Sequence, residues 1–507
     1  MNLLTEAWIP VRSASDSSVI TITLKTLLCA REPYVLCLPR DDMEMAACQL
    51  LICLVQILWP PADASQLLQR IRDPLSEEEF ISGIAGREDD FDLAHPEFPF
   101  MQVSGVVAKK NTTMDKLMVG LTGSKNCAFL NQPGQGDTVC GGCAAIALFN
   151  QASNAPGFGG GFKSGIRGEI PVTTLVQQPC LRTTVWANVL TQSMLDKHYS
   201  GWREEPRHNF TWQRPIVSGQ RIFAHEIGLA RGLFWQPAHI ELSSPDSGGK
   251  CCACGAIVEQ RYSGFFKAKF NYTIEGFWLH PHSPVVHQSK KEILERRHIS
   301  FTLPTPCWTQ TGRLLLERQL EGNQEGRTPA LVVVQARQLV NGRTLHLSIG
   351  GYRNNQASIL ERRHEIMVFN QGWERHPEIV GEIARLGLAY LDALKKALNY
   401  FVKGDSKMHI PGAGVQVNKT VEPRYFQQSN TLITSLLATI NYEQPLPQLQ
   451  ILHQRLYSLC HKLFESVTEP YNHHPKLILT LAKSRKLLVE QLSILKTQGE
   501  QTDGPLV

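Results

Sequence analysis

Two pairs of cysteines carry the sharpest chemical signal in the chain. Cys140-Gly141-Gly142-Cys143 and Cys251-Cys252-Ala253-Cys254 each hold two thiols at Cys-x-x-Cys spacing, which turns both sulfurs toward one ion. Together Cys140, Cys143, Cys251 and Cys254 supply the four thiolates of a tetrahedral structural zinc site, with Cys252 as the spare thiol. The chain between the pairs is far longer than in a compact zinc ribbon, so the ion would tie two distant loops together. The plainer alternative is four reduced, unligated thiols.

A catalytic zinc is the rival reading. Nucleobase deaminases combine Cys-x-x-Cys with an upstream His-x-Glu, and the chain contains His95-Pro96-Glu97 and His239-Ile240-Glu241. Neither cysteine pair is preceded by the proline of that signature, and two complete pairs leave no coordination position for water. The glycine run from Gly157 to Ser164 is not a phosphate loop, because Phe162 stands before Lys163 where Gly-Lys-Ser/Thr is needed. His225-Glu226 and His364-Glu365 lack the second histidine of a zinc protease helix, and no Gly-x-Ser-x-Gly occurs. With no catalytic constellation, a non-enzymatic role is expected.

Basic and polar groups in loops are left. Lys163 and Arg167 follow the glycines, Lys267-Ala268-Lys269 forms a second group, and Tyr352-Arg353-Asn354-Asn355-Gln356 a third. Cations beside glycine backbone can satisfy phosphates, and asparagine or glutamine can hydrogen-bond base edges. A solvated surface accounts for any one of these groups equally well. The 51 basic and 46 acidic residues give a net charge of only +5, so any contact with a polyanion must be local.

The elements that must position these groups follow from patterning. At 507 residues and 42% apolar content, the chain is long enough for more than one domain. Trp8-Ile9-Pro10-Val11 and Val19 to Leu24 alternate like the strands of a hairpin. A capping-box pattern at Asp41-Asp42-Met43-Glu44 opens an apolar stripe through Ala46, Ala47, Leu50, Leu51, Leu54 and Leu58, which predicts a core helix ended by Pro60-Pro61. Glycine- and asparagine-rich stretches at 131–136 and 156–163 predict surface loops. Residues 263–349 read as strand-rich, with Leu331-Val332-Val333-Val334 and Leu345-His346-Leu347-Ser348-Ile349 as examples. After Pro377 the period becomes 3.6, with segments near 378–402, 421–441, 446–467 and 475–496 joined by short breaks. The expected fold class is α+β: a large mixed α/β domain over 1–375 with a four-cysteine zinc-tied loop region, then a C-terminal four-helix bundle over 376–507. No apolar run is long enough for a membrane span and the first residues lack a signal-peptide pattern, so a cytoplasmic protein without membrane contact is expected. Thirteen cysteines, an odd number, argue for thiols over a disulfide framework, and Cys48, Cys53 and Cys460 in apolar runs read as core.

Several strings together resemble the large subunit (CasA) of the type I-E Cascade CRISPR surveillance complex. They are Leu38-Pro39-Arg40-Asp41-Asp42-Met43-Glu44, Phe129-Leu130-Asn131-Gln132-Pro133-Gly134-Gln135-Gly136, Pro156-Gly157-Phe158-Gly159-Gly160-Gly161-Phe162-Lys163-Ser164-Gly165, the run from Arg231 to Glu241, and Gly350-Gly351-Tyr352-Arg353-Asn354-Asn355-Gln356-Ala357-Ser358. The likeness extends from Met1 through the helical end, its distinctive motifs lie before residue 375, and both cysteine pairs fall where the family has them. The resemblance implies a non-catalytic subunit of an RNA-guided antiviral ribonucleoprotein. Such a subunit recognises the protospacer-adjacent motif of duplex DNA through the minor groove and helps open the duplex for guide RNA pairing. It also helps recruit the helicase-nuclease. The implied partners are the other Cascade subunits, the 5′ end of the guide RNA, double-stranded target DNA and the CRISPR-associated helicase-nuclease. Carried over by motif, Gly160 belongs to the glycine loop at the minor groove, Lys269 is a lysine finger entering it, and Gln356 with Asn355 and Ala357 forms a wedge at the duplex fork. Phe129, Leu130 and Asn131 lie on a loop that docks near the guide RNA and neighbouring subunits, with Leu130 where the family pattern has valine. An architectural scaffold that never touches DNA is the remaining alternative.

Overall fold

In the computed structural model, residues 1–15, 17–108, 110–121, 134–205, 209–290, 293–321, 325–339, 343–356 and 358–500 are described. The alternating N-terminal segment pairs as expected: β1 (Ile9–Ser13) runs antiparallel to β2 (Val19–Ile22), with Ile9 opposite Ile22, and β3 (Tyr34–Leu36) covers the other edge of β1. The helix that follows, α1 (Asp41–Leu58), is buried on nearly every side from Met43 to Leu58, so it is a central helix and not a surface one. Proline at position 60 lacks the N–H needed to carry it further.

The start of α1 departs from the capping-box expectation. Asp41 is already helical, no side chain caps the turn, and Glu44 Oε1 accepts the N–H of Leu38 at 2.9 Å. Asp42 is drawn instead to Arg40 at 2.6 Å and to the Tyr352 hydroxyl at 2.7 Å. Away from water these charge-assisted bonds outweigh the roughly 1 kcal/mol of a cap.

α2 (Gly141–Ser153) packs on α1, and the described strands pair into small sheets of two or three. β4 (Thr173–Val176) is one edge of a sheet described below. β5 (His239–Leu242) precedes the hairpin of β6 (Asp246–Lys250) and β7 (Ile257–Arg261), after which β8 (Gly264–Ala268) returns antiparallel to β5 with Lys267 opposite Ile240. β9 (Val285–Lys290) pairs with β10 (Ile293–His298). The expected strand at Leu331–Val334 is a helix, α3 (Leu331–Leu339). β-branched residues cost a helix only a few tenths of a kcal/mol each, so packing decides. Here Leu331, Val332, Val333 and Ala336 are buried, and Gln335 bonds the backbone of Val189 (2.8 Å) and Thr191 (2.9 Å). β12 (Leu345–Asn355) follows Gly326–Thr328, which is β11, and forms a long hairpin with β13 (Ser358–Phe369); β4 lies on the far side of β12, Ile349 opposite Thr174.

The chain divides into two compact units. One comprises Met1–Pro304, Glu317–Leu339 and Leu347–Ile366; the other takes in Thr305–Leu316 and the chain from Met367 on. In the second, α4 (Pro377–Lys403) touches each of α5 (Asn418–Thr439), α6 (Leu446–Thr468) and α7 (Ile478–Glu500), while α5 packs on α6 and α6 on α7. Ile379, Ile383, Leu386, Tyr390, Leu394, Leu398 and Phe401 recur at helical spacing along the buried side of α4, the pattern from which these helices were expected. Among the described residues no helix is long and apolar enough to cross a membrane.

Candidate metal centre and nucleic-acid interface

Folding brings the two cysteine pairs together. Cys140 is the residue before α2, and its Sγ accepts the N–H of Cys143 at 3.4 Å. Cys251 and Cys254 lie in the turn between β6 and β7, where Cys251 Sγ accepts the N–H of Cys140 (3.2 Å) and of Cys254 (3.5 Å). The four sulfurs lie within 4.8 Å of one another, and those of Cys140 and Cys254 are 3.7 Å apart. Tetrahedral zinc–thiolate bonds of about 2.3 Å place sulfurs about 3.8 Å apart, so the donor set fits a closed structural site. Hydrogen bonds to Cys140, Cys251 and Cys254, together with burial, hold the Cys143 thiol well above its ordinary range when no cation is bound. Gly142 lets the first turn of α2 lie against Trp8, since a Cβ there would stand 2.7 Å from the Trp8 carbonyl oxygen.

The His-x-Glu pairs are spent elsewhere. His95 Nδ1 accepts the N–H groups of Glu97 (3.2 Å) and Phe98 (3.1 Å), His239 stacks on Phe270 at 4.2 Å, and Glu241 accepts the N–H of Val106 at 2.7 Å. Cys252 is exposed beside Thr138 and outside the four-sulfur set. Burial pushes the Cys48 thiol up to about 12, as suits a core cysteine.

A second constellation surrounds Gly160. Gly159, Gly160 and Gly161 take φ of +79°, +58° and +89°, a run that side chains adopt only under strain, and a Cβ on Gly160 would face open space. Lys269, one residue past β8, donates from Nζ to the Gly160 carbonyl at 2.8 Å, with both residues exposed. Flanking aromatics seat the turn: Phe158 lies 5.5 Å from Phe162 and 5.8 Å from Phe265. Lys267 Nζ sits 4.2 Å from the centre of the Phe158 ring, and burial, with Lys116 nearby, pushes its pKa down to about 8. In the sequence Lys267 reads only as a possible phosphate contact. The usable signal was the symmetric placement of Phe158 and Phe162 about the glycines.

Asn355 and Gln356 are exposed at the tip of the β12–β13 hairpin, and Gln356 takes φ of +54°. Asn354 Nδ2 donates to the Gln356 carbonyl at 2.6 Å and lies 3.5 Å from the Glu169 carboxylate, in the segment leading out of the glycine turn. Arg353 and Glu361 clamp the two strands at 2.9 Å. Ala357, Phe129, Leu130 and Asn131 lie outside the described residues.

A buried polar chain links the hairpin to the glycine-loop segment. Tyr352 donates to Asp42 and accepts from Asn150 Nδ2 at 2.7 Å, and Asn150 Oδ1 accepts from Asn154 at 3.1 Å. Arg167 then donates to Asn154 Oδ1, to the Ser153 carbonyl (2.8 Å), to Thr173 Oγ1 (3.0 Å) and to Ser283 Oγ (2.8 Å). Arg167 is therefore not a phosphate contact. It is 3% exposed, its guanidinium is occupied, and burial lowers its pKa to about 9. The network joins α1, α2, the glycine-loop segment and the hairpin into one frame.

The sequence model of the family described as CRISPR-associated protein Cse1 matches residues 2–463. The chain belongs to the Cse1 family. Solved structures agree in fold: Cse1 of Thermobifida fusca is 16% identical and superposes with a TM-score of 0.75, over 98% of each chain. CasA (Cse1) of Thermus thermophilus is 16% identical with a TM-score of 0.68, covering 97% of this chain and 99% of that one. A chain of a structure described as a CRISPR RNA-guided surveillance complex is 15% identical with a TM-score of 0.69, covering 96% and 99%. At such identities what this Cse1 family member shares with them is the mixed α/β architecture with its C-terminal helices.

Proposed function

We propose that this chain is the non-catalytic target-recognition subunit of an RNA-guided antiviral complex in the cytoplasm. It would examine duplex DNA for the adjacent motif through the minor groove and help to open it for the guide RNA. The observation that carries the reading is the contact of Lys269 Nζ with the Gly160 carbonyl, two exposed groups 109 residues apart in sequence. The minor groove presents acceptors on every base pair and one donor on guanine, so a lysine and a peptide carbonyl can accept several related motifs and reject others. Lys269 would exchange its bond to Gly160 for a base acceptor while the side-chain-free turn lets the backbone approach.

Gln356, with Asn355 and Ala357, would then enter the opened step. Separating one step loses about 1–2 kcal/mol of stacking, which an inserted side chain can offset until RNA–DNA pairing takes over. Residues Phe129, Leu130 and Asn131 are assigned to docking near the 5′ end of the guide RNA and the other subunits. Recognition and docking are assigned to residues 1–375, and contact with displaced DNA and the recruited helicase-nuclease to the helices of 376–507. Zinc held by Cys140, Cys143, Cys251 and Cys254 would cross-link the start of α2 to the β6–β7 turn.

The test is Lys269→Ala in the assembled complex, with binding measured on duplexes that differ only in the adjacent motif. Reduced affinity and blunted motif preference are expected; unchanged values for both would remove Lys269 from recognition.

A further inference from the structure

We propose that Lys267 is a positioning residue for motif recognition, holding the glycine turn at its working height through Phe158 and Phe162 without touching nucleic acid. The inference rests on the reading of Gly160 and Lys269 given above. Lys267 and Lys269 alternate with Phe265 on one side of β8 and its extension, so all three approach the same loop. Lys269 reaches the backbone of the turn at Gly160. The Lys267 ammonium instead lies among three rings, 4.2 Å from Phe158, 5.4 Å from Phe162 and 5.9 Å from Phe265.

Three successive glycines have no side chains with which to hold themselves in place. The turn is closed by the Phe162 N–H on the Gly159 carbonyl at 3.1 Å, and beside the Lys269 bond at Gly160 the phenyl rings at its two ends seat it on the protein. Both rings meet the cation of Lys267, whose attraction to aromatic faces strengthens as it loses water. One strand thus carries the group that touches the turn and the groups that hold it, and the spacing from Gly160 to Lys269 is referred to a single support. A lysine serving a phosphate would extend into solvent, whereas this one is half-buried beside the like charge of Lys116.

The experiment uses the complex assembled with the full chain and measures affinity, across salt concentrations, for duplexes with permissive and non-permissive adjacent motifs. Lys267→Met, which keeps the stem and loses the charge, should lower the ratio of the two affinities by about fivefold, corresponding to about 1 kcal/mol of cation–π attraction. The slope of affinity against salt should stay as it was, and Lys267→Arg should restore the ratio. Phe158→Leu, which leaves the lysine in place, should reproduce the loss of ratio should the methionine variant fold poorly. An equal loss on all duplexes with a salt slope smaller by about one charge makes Lys267 a phosphate contact and overturns the proposal. An unchanged ratio in both Lys267→Met and Phe158→Leu also overturns it. Lys269→Ala separates the two levels: an effect there with none at Lys267 refutes only the positioning role, and no effect there refutes the reading beneath it.

Discussion

Acid should unfold the first unit through three histidines that are sealed in its interior. His280 and His282 are each 1% exposed and His298 is 7% exposed. Each ring accepts a hydrogen bond: Gln49 Nε2 donates to His282 Nδ1 (3.2 Å), the His282 N–H to His280 Nδ1 (3.1 Å) and the His280 N–H to His298 Nε2 (3.4 Å). Protonation would turn each acceptor into a donor facing a donor. Burial, with the Arg167 charge nearby, pushes His282 and His298 from 6.5 down to about 3, and His280 well below 6.5. A folded pKa below the unfolded one means that the unfolded chain binds more protons as pH falls. The stability is therefore complete above about pH 6.5 and is lost progressively toward pH 3. At pH 5 an unfolded ring is almost fully protonated and a folded one is not, which costs about 2 kcal/mol per ring, or about 4 kcal/mol for His282 and His298 together. That is a large part of the 5–15 kcal/mol typical of a domain. Urea midpoints at pH 7.5, 6 and 5 measure it. His282→Gln keeps an acceptor that cannot titrate, so its stability should fall less steeply, by about one proton, whatever the cysteine cluster does in acid. An identical pH slope in wild type and His282→Gln would refute the reasoning.

Other consequences are equally direct. Arg167→Met should destabilise the fold by about 3–5 kcal/mol, because four acceptors, three of them buried, each lose a donor, while the salt dependence of the proposed DNA binding in the folded fraction stays unchanged; a changed slope with an unchanged melting temperature would return Arg167 to the surface. Gln356→Gly should relieve about 1 kcal/mol of left-handed backbone strain and leave the melting temperature equal or higher, yet slow duplex opening in a way that a pre-melted target rescues. If the pre-melted target is equally impaired, the wedge role is wrong. Elemental analysis of purified chain should find one zinc per molecule, lost in Cys143→Ser together with a lowered melting temperature, and a chelator should bring the wild type to the same value; a metal-free chain with wild-type stability would leave the cluster as plain thiols.

Local pattern was enough for the elements whose stability is local. The 3.6 period after Pro377 set out four helices, which the structure places at Pro377–Lys403, Asn418–Thr439, Leu446–Thr468 and Ile478–Glu500, since the burial of one helix face repeats in the chain itself. Alternation likewise marked the first hairpin, and Cys-x-x-Cys spacing picked out Cys140, Cys143, Cys251 and Cys254 from thirteen cysteines. Three things escaped it. Val332 and Val333 have strand propensities, but Gln335 and the surfaces around it made a helix. Asp42 looked like part of a cap, but its partner Tyr352 stands 310 residues away. Arg167 and Lys267 looked alike as loop cations, yet one is sealed among acceptors and the other caged by phenyl rings. The sequence by itself thus determined the periodic elements and the two cysteine pairs, because those depend on residues a few positions apart. Only the tertiary structure decided what each charge faces, because a buried ion takes its partner from whatever the fold brings within about 3 Å of it.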